Sequence, residues 1–154
     1  MKPEVREWLV EARKHGDFDR LLQALPYVRL LGLKAVARDG DLLLRMPGAQ
    51  HLIGNPVLPA LHGGTVGALL ESTAILKLLW ESDSIGVPKT ITLTVDYLRS
   101  AHVVETWARA SITRLGRRVA NVQVRAWQDR EERPVAVAHA HFLLRSPEDS
   151  GDPV

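Results

Sequence analysis

The chain has 154 residues, 20 basic and 18 acidic side chains, a formal net charge of +2 and no cysteine. This length fits one domain. The lack of cysteine excludes disulfides, thiolate metal sites and a cysteine nucleophile. The near balance of charge and an aromatic content of 5 % do not favour nucleic-acid binding. No apolar run reaches the ~20 residues of a membrane-spanning helix, and the charged N-terminus lacks a signal core. We therefore expect a cytoplasmic protein with no membrane partner.

The first half of the chain is predicted to contain two helices and a hairpin. In chain order, the predicted elements are a helix over 4–25, strands over 28–37 and 42–46, an irregular loop over 47–62 and a helix over 64–82. Pro26 would end the first helix, and Asp39-Gly40 is typical of a two-residue hairpin turn. The second helix is apolar on nearly every side, which indicates burial over much of its circumference.

After Pro88 the hydrophobic period changes to two, which predicts strands. They are expected at about 90–97, 103–115, 118–129 and 134–145. Because a flat sheet would cover only one side of the apolar helix, we predict an α+β fold in which about six antiparallel strands curl around one long central helix. The domain would span 27–145, with an extra N-terminal helix in 1–26 as part of the same unit and a disordered tail over 146–154.

Glu71 is the one ionisable residue between His62 and Lys77, in the middle of the apolar helix. Burying a carboxylate without partners costs several kcal/mol, which hydrogen bonds or protonation relieve. One interpretation is therefore a structural carboxylate held by Ser72, Thr73 or a neighbouring strand. The other is a nucleophile or a general base.

His62-Gly63-Gly64 lies at the start of the same helix, where free N–H groups and the positive end of the helix dipole gather. These groups suit a polarised carbonyl or an anion, although an ordinary glycine-rich helix entry has the same sequence. Gly63 and Glu71 are eight residues apart, which is about 12 Å along a helix. If both are catalytic, they can meet at one carbonyl only across a two-fold dimer interface.

Five segments together resemble the phenylacetate-pathway type of hotdog-fold acyl-CoA thioesterases. The segments are NPVLPALHGG at 55–64, ALLE at 68–71, TITLTVDYLRSA at 90–101, GRRVA at 116–120 and AVAHAHF at 136–142. The resemblance covers about residues 27–145. It implies the hotdog fold, hydrolysis of a small or aryl acyl-CoA, and a homodimer that pairs into a dimer of dimers. It implies neither a cofactor nor a metal.

The same resemblance assigns roles to individual residues. Glu71 would attack the thioester or activate water, while the Gly63 N–H polarises the thioester carbonyl. Thr90 would orient water near the acid, and His62 would organise the loop. Asn55 would position the thioester or the water, although it lies seven residues before the histidine where relatives usually have six.

Coenzyme A carries a pyrophosphate and a 3′-phosphate, which suit the forked donors of arginine. The residues predicted to bind it are Gly64, Arg99, Arg117 and Arg118. Two alternatives stay open at this stage. A hotdog dehydratase or hydratase would use His62 or His51 as a base, and a regulatory hotdog domain would bind acyl-CoA without turning it over.

Overall fold

The computed structural model describes residues 3–82 and 86–144, and the predicted tail over 146–154 lies outside them. The predicted helix over 4–25 is in fact two helices, α1 Pro3–His15 and α2 Asp19–Gln23, and a third helix, α3 Pro26–Leu30, occupies the start of the predicted strand over 28–37. Gly16, at φ +68°, follows the end of α1. The prediction that Pro26 ends a helix is wrong, because proline stands at the first turn of α3, where its missing N–H costs nothing. For the same reason the predicted strand over 28–37 begins only at Lys34.

The main sheet is formed by six strands, β1 Lys34–Arg38, β2 Asp41–Met46, β5 Lys89–Tyr97, β6 Thr106–Leu115, β7 Val119–Trp127 and β8 Ala136–Leu143. All of its neighbouring strands are antiparallel, and their order across the sheet is β1-β2-β6-β7-β8-β5. Asp39 and Gly40 both have positive φ, at 53° and 74°, which confirms the two-residue hairpin between β1 and β2. The loop predicted to be irregular contains a 3-10 helix, Gln50–Leu52, and a two-stranded hairpin of β3 Ile53–Asn55 and β4 Ala60–Leu61.

Helix α4, Gly63–Glu81, is the predicted central helix, and it packs against β2, β6, β7 and β8. Leu69, Leu70 and Leu78 are fully buried, as expected for a helix wrapped by a sheet. The N-terminal helices pack against the same core, with the Phe18 and Trp80 rings 5.2 Å apart. Among the helices of the described residues, none has both the length and the hydrophobicity needed to cross a bilayer.

Strand β5 lies at one edge of the sheet and, among the described strands, pairs only with β8. Its residues are mostly exposed on both faces, including Ile91 at 54 % and Tyr97 at 55 %. A bulge shifts its register between Thr90 and Thr92. An edge that presents unpaired backbone groups and exposed apolar side chains is suited to pairing with another strand.

Lys77 is a buried cation on α4 that the sequence reading did not recognise, with 8 % of its surface exposed. Its ammonium lies 2.6 Å from Asp41 and 2.7 Å from Glu81, and Asp41 also contacts Arg109 at 3.4 Å. Burial lowers the pKa of the Lys77 ammonium, but the hydrogen bonds and charges of the two carboxylates outweigh it and raise this pKa above the ordinary 10.5. The cluster ties α4 to the β1–β2 hairpin.

Candidate active site

Glu71 lies on α4 facing the start of β5. Its side chain is partly buried, and its Oε1 accepts a hydrogen bond of 2.6 Å from the Thr90 hydroxyl. Thr73, one of the structural partners considered from sequence, donates instead to the Leu69 carbonyl at 2.6 Å. The partner of the carboxylate is therefore on the neighbouring strand. The structure brings together Glu71 and Thr90, two of the predicted site residues.

His62 is the N-cap of α4, with extended backbone angles of φ −63° and ψ 132°. The Nδ1 of its ring accepts a hydrogen bond from the Gly64 N–H at 2.9 Å. The backbone N–H of His62 donates to the Leu52 carbonyl at 2.8 Å. A Cβ added to Gly54 would lie 2.8 Å from the imidazole Cδ2, so glycine is needed for the ring to pack there. These contacts tie the preceding loop to the start of α4, and the role assigned to His62 stays a prediction.

The Gly63 N–H is the amide available for a ligand at this helix start. As the first residue of α4 it has no intrahelical acceptor, and no acceptor for it occurs within residues 3–82 and 86–144. The Gly64 N–H, also predicted to bind substrate, is already satisfied by the His62 ring. Of the two glycines, Gly63 therefore has the donor that can polarise a carbonyl.

Tyr97 covers the first turn of α4 from the far end of β5. Its hydroxyl donates to the Gly63 carbonyl at 2.7 Å, and its ring lies 3.3 Å from the position of a Gly63 Cβ. In a regular strand Thr90 and Tyr97, seven residues apart, would face opposite sides. The bulge after Thr90 brings both side chains to the α4 side. Sequence analysis missed Tyr97 because the pattern does not reveal the bulge.

Asn55 is the last residue of β3, in a hairpin whose register shifts between Ile53 and Asn55. Its Oδ1 accepts the N–H groups of Val57 and Leu58 at 3.0 and 3.2 Å, as in an Asx turn. These two hydrogen bonds stabilise the tip of the β3–β4 hairpin, where Val57 is 84 % exposed and Leu58 is 70 % exposed. Within the protomer, the side-chain amide oxygen of Asn55 is thus hydrogen-bonded within its own loop.

The arginines predicted to bind CoA lie at opposite ends of the sheet. Arg99 comes shortly after Tyr97, the last residue of β5, which pairs with Ala136 at the start of β8. The Arg99 guanidinium donates a hydrogen bond to the Pro134 carbonyl at 2.7 Å. Arg117 and Arg118 form the turn before β7, which begins opposite the end of β8. The structure does not bring the two sets together within one protomer.

Two cavities adjoin at the Arg99 end of the sheet. The larger, about 440 Å³, lies beside the first turns of α4 and is lined by Ala60, Leu61, Val66, Tyr97, Leu98, Arg99, Ser100, Ala101 and Val135. The smaller, about 240 Å³, is lined by Arg99, Ser100, His102, Gln128, Asp129, Arg133 and Val135. The three shared residues make them a continuous groove, running from an apolar wall near Gly63 to a rim that contains two arginines.

The histidines considered as catalytic bases are both engaged with the backbone. His62 accepts from Gly64, and the Nε2 of His51 lies 3.0 Å from the Leu30 carbonyl. No group of three or more His, Asp or Glu side chains with the spacing of a metal site occurs in the described part of the chain.

The chain is similar to a known protein family and to several solved structures. A family profile described as the acyl-CoA thioesterase N-terminal domain matches residues 55–143. A solved structure from Chromobacterium violaceum is 37 % identical, with a TM-score of 0.76 over 92 % of this chain and 98 % of that chain. A phenylacetic acid degradation-related protein from Ralstonia eutropha is 28 % identical, with a TM-score of 0.70 over 82 % and 98 %.

A Bacillus halodurans protein solved with CoA is 21 % identical, with a TM-score of 0.71 over 93 % of each chain, a likeness that shows the fold alone. No functionally curated protein matches the chain significantly. The family profile covers more than half of the chain, so the protein belongs to the acyl-CoA thioesterase domain family. The hotdog fold and thioester hydrolase class expected from sequence are confirmed.

Proposed function

We propose that the protein hydrolyses a small or aryl acyl-CoA at a site shared between two protomers. Glu71 of one protomer would act on the thioester carbonyl while the Gly63 N–H of its partner polarises that carbonyl. The contact that carries this proposal is the hydrogen bond from Thr90 to Glu71, since it holds a carboxylate beside the free edge of the sheet. The dimer of dimers expected from sequence stays a prediction, because the site needs only two copies.

The arrangement of β5 supports a shared site. Thr90, near the start of β5, contacts Glu71, whereas Tyr97, at its end, contacts Gly63. A second copy that adds its β5 antiparallel to this exposed edge would bring the Thr90 end of one strand next to the Tyr97 end of the other. The Glu71 of each protomer would then lie near the Gly63 of its partner. Within one protomer the two are separated by about 12 Å of helix.

The chemistry follows from these two groups. As a nucleophile adds to the thioester carbon, negative charge develops on the carbonyl oxygen, and a preorganised N–H donor stabilises it better than water does. Glu71 would either take a proton from the attacking water or attack the carbon itself to give an anhydride that water then opens. In both routes the C–S bond breaks and the sulfur leaves as the CoA thiolate, which takes up a proton.

The groove at the Arg99 end would receive the CoA arm. Its apolar wall next to Gly63 suits the pantetheine chain, and Arg99 and Arg133 at its rim suit phosphate. The antiparallel arrangement proposed for β5 also brings Arg117 and Arg118 of the partner toward this end. The four predicted CoA-binding positions, which include Gly64 near the helix start, would then lie around one ligand.

A complementation assay tests the shared site. Gly63→Pro removes the amide N–H, and proline is a residue favoured at the first position of a helix. His62, which precedes it, already has the extended backbone angles required before proline. Gly63→Pro and Glu71→Gln should each lower thiol release from acyl-CoA at least about a hundredfold, leaving a small residual rate. Their co-expressed mixture should recover about a quarter of wild-type activity, because half of random dimers are mixed and each contains one intact site.

The control mixture pairs Gly63→Pro with the double variant Gly63→Pro/Glu71→Gln, and it should stay inactive. Mixed dimers confirmed by mass spectrometry but lacking activity would show that the site is not shared. Wild-type activity in Gly63→Pro alone would remove the Gly63 amide from the mechanism.

A further inference from the structure

The carbonyl oxygen of His62 accepts three hydrogen bonds. The Thr65 and Val66 N–H groups donate to it at 2.9 and 3.2 Å, and the Thr65 hydroxyl donates at 2.7 Å. The two amide bonds belong to the first turn of any helix. The hydroxyl bond is additional and depends on the side chain at position 65.

This carbonyl belongs to the same peptide unit as the Gly63 N–H. Because C=O and N–H are conjugated in a peptide, drawing electron density toward the oxygen increases the positive charge on the amide hydrogen. Hydrogen bonds that are linked in series through a peptide unit in this way strengthen one another by roughly 10–30 % each. Each donor to the His62 oxygen therefore makes the Gly63 N–H a stronger donor.

We propose that Thr65 is a positioning residue that strengthens and orients the Gly63 amide through its hydroxyl bond to the His62 carbonyl. The inference rests on the proposed function, in which this amide polarises the thioester. The hydroxyl also fixes the plane of the peptide, since a bond to its oxygen resists rotation about the adjoining dihedrals. Thr65 would thus act on the transition state without touching the substrate.

The same helix provides a matched control. Thr73, eight residues later on α4, makes the same kind of bond, from its hydroxyl to the Leu69 carbonyl at 2.6 Å. The peptide unit of Leu69 and Leu70 is in the helix interior, where its N–H takes part in the helical hydrogen bonds. Removing the Thr73 hydroxyl therefore tests the general effect of losing a threonine side-chain bond in α4.

The experiment compares Thr65→Val, Thr65→Ser and Thr73→Val by steady-state thiol release. An oxyanion donor contributes about 10²–10³ in kcat, so losing a neighbouring bond that strengthens it by 10–30 % should lower kcat about two- to eightfold in Thr65→Val. KM should be unchanged, because the interaction grows in the transition state. Thr65→Ser should restore kcat, and Thr73→Val should keep the wild-type value. A wild-type kcat in Thr65→Val, or an equal loss in Thr73→Val, would overturn the proposal.

A double-variant cycle separates this role from a structural one. In the Gly63→Pro background the amide is absent, so Thr65→Val should cause no further loss of residual activity. A further loss of the same size would mean that Thr65 acts on the fold rather than on this amide. Thr65→Ala provides a second hydroxyl-free variant if Thr65→Val does not fold.

Failure of the proposed function is a separate result. If Gly63→Pro is fully active, the amide has no role and both proposals fall. If Gly63→Pro is inactive while Thr65→Val matches the wild type, only the role of Thr65 is refuted.

Discussion

The Thr90 hydroxyl and the Glu71 carboxylate, 2.6 Å apart, join the edge strand β5 to the central helix. Thr90 is exposed and Glu71 is partly buried, so the contact lies at the margin of the protomer rather than in its core. The position of the carboxylate thus depends on a strand that has one unpaired edge. Any copy of the chain that pairs with this edge would also cover the acid.

Replacing Glu71 with glutamine is expected to remove hydrolysis while the fold persists. The amide keeps the volume and accepts the Thr90 bond, but it neither attacks a thioester nor takes a proton. A positioned acid–base group contributes about 10²–10⁴ in rate, so kcat should fall at least that far. Thiol release measures the loss. The exposed Glu7, changed to glutamine, is the control, and near-wild-type turnover in Glu71→Gln would exclude the residue.

Thr90→Val tests the hydrogen bond that the Thr90 hydroxyl donates to the Glu71 carboxylate. A hydrogen bond to a charged group is worth about 1.5–3 kcal/mol, so a misplaced carboxylate should lower kcat about tenfold or more. Thr90→Ser retains the hydroxyl and should recover most of the rate. Steady-state kinetics of the wild type, Thr90→Val and Thr90→Ser give the three kcat values to compare. If valine and serine variants behave alike, the hydroxyl does not hold the acid for catalysis.

Replacing both Arg117 and Arg118 with alanine is expected to raise KM for an acyl-CoA by about tenfold or more, since each charged hydrogen bond to phosphate is worth ~1.5–3 kcal/mol. KM for the matching acyl-pantetheine, which lacks the nucleotide, should change little. Arg99→Ala, at the rim of the groove, should show the same discrimination. Equal effects on the two substrates would mean that the turn between β6 and β7 does not touch the nucleotide.

Lys77 should make the stability of the fold sensitive to alkaline pH. Its folded-state pKa is raised above 10.5, so above that value the unfolded chain loses the proton while the folded one retains it. Its stabilising contribution is complete below 10.5 and is lost as pH rises through the folded pKa. Urea unfolding at pH values on either side of 10.5 should show a steeper loss in the wild type than in Lys77→Met. Parallel curves would contradict the assignment.

Gly54→Ala is expected to disturb the site through His62. The new Cβ would lie 2.7 Å from the His62 Cα, so the backbone must shift, at a typical cost of about 1–3 kcal/mol. Both the melting temperature and kcat should fall. At Gly67 an added Cβ meets only the Tyr97 hydroxyl, at 3.5 Å, so Gly67→Ala should fold at least as stably as the wild type. Equal melting temperatures for the two variants would argue against close packing at Gly54.

Periodicity predicted the central helix and the six-stranded sheet well, because both depend on burial of apolar side chains, which the sequence pattern reports directly. It failed where the backbone departs from a regular period. Pro26 predicts a helix end and a helix start equally well, and the choice is made by packing of α3 on the core. The two short strands β3 and β4 are hidden in a stretch rich in proline and glycine.

For the candidate site, the sequence pointed to Glu71 and Gly63, because an acid and a glycine pair stand out against an apolar helix. The resemblance also pointed to Thr90 near this acid. The pattern did not indicate that Tyr97 covers Gly63, since that contact depends on the bulge in β5. It also missed Lys77, the ionisable residue of α4 that is actually buried, because its two partners are distant in sequence or at the helix end. Partners of this kind become visible only when the chain is folded.

The bulge after Thr90 has a further consequence for how such sites arise and disappear. It is one extra residue, yet it determines on which side of the sheet everything downstream of it in β5 emerges. A homologue that lacks this one residue but is otherwise identical would retain the sheet while turning the threonine and the tyrosine to opposite sides. Among homologues, the length of this segment would then report whether the two side chains face the same side, which residue identities alone do not report.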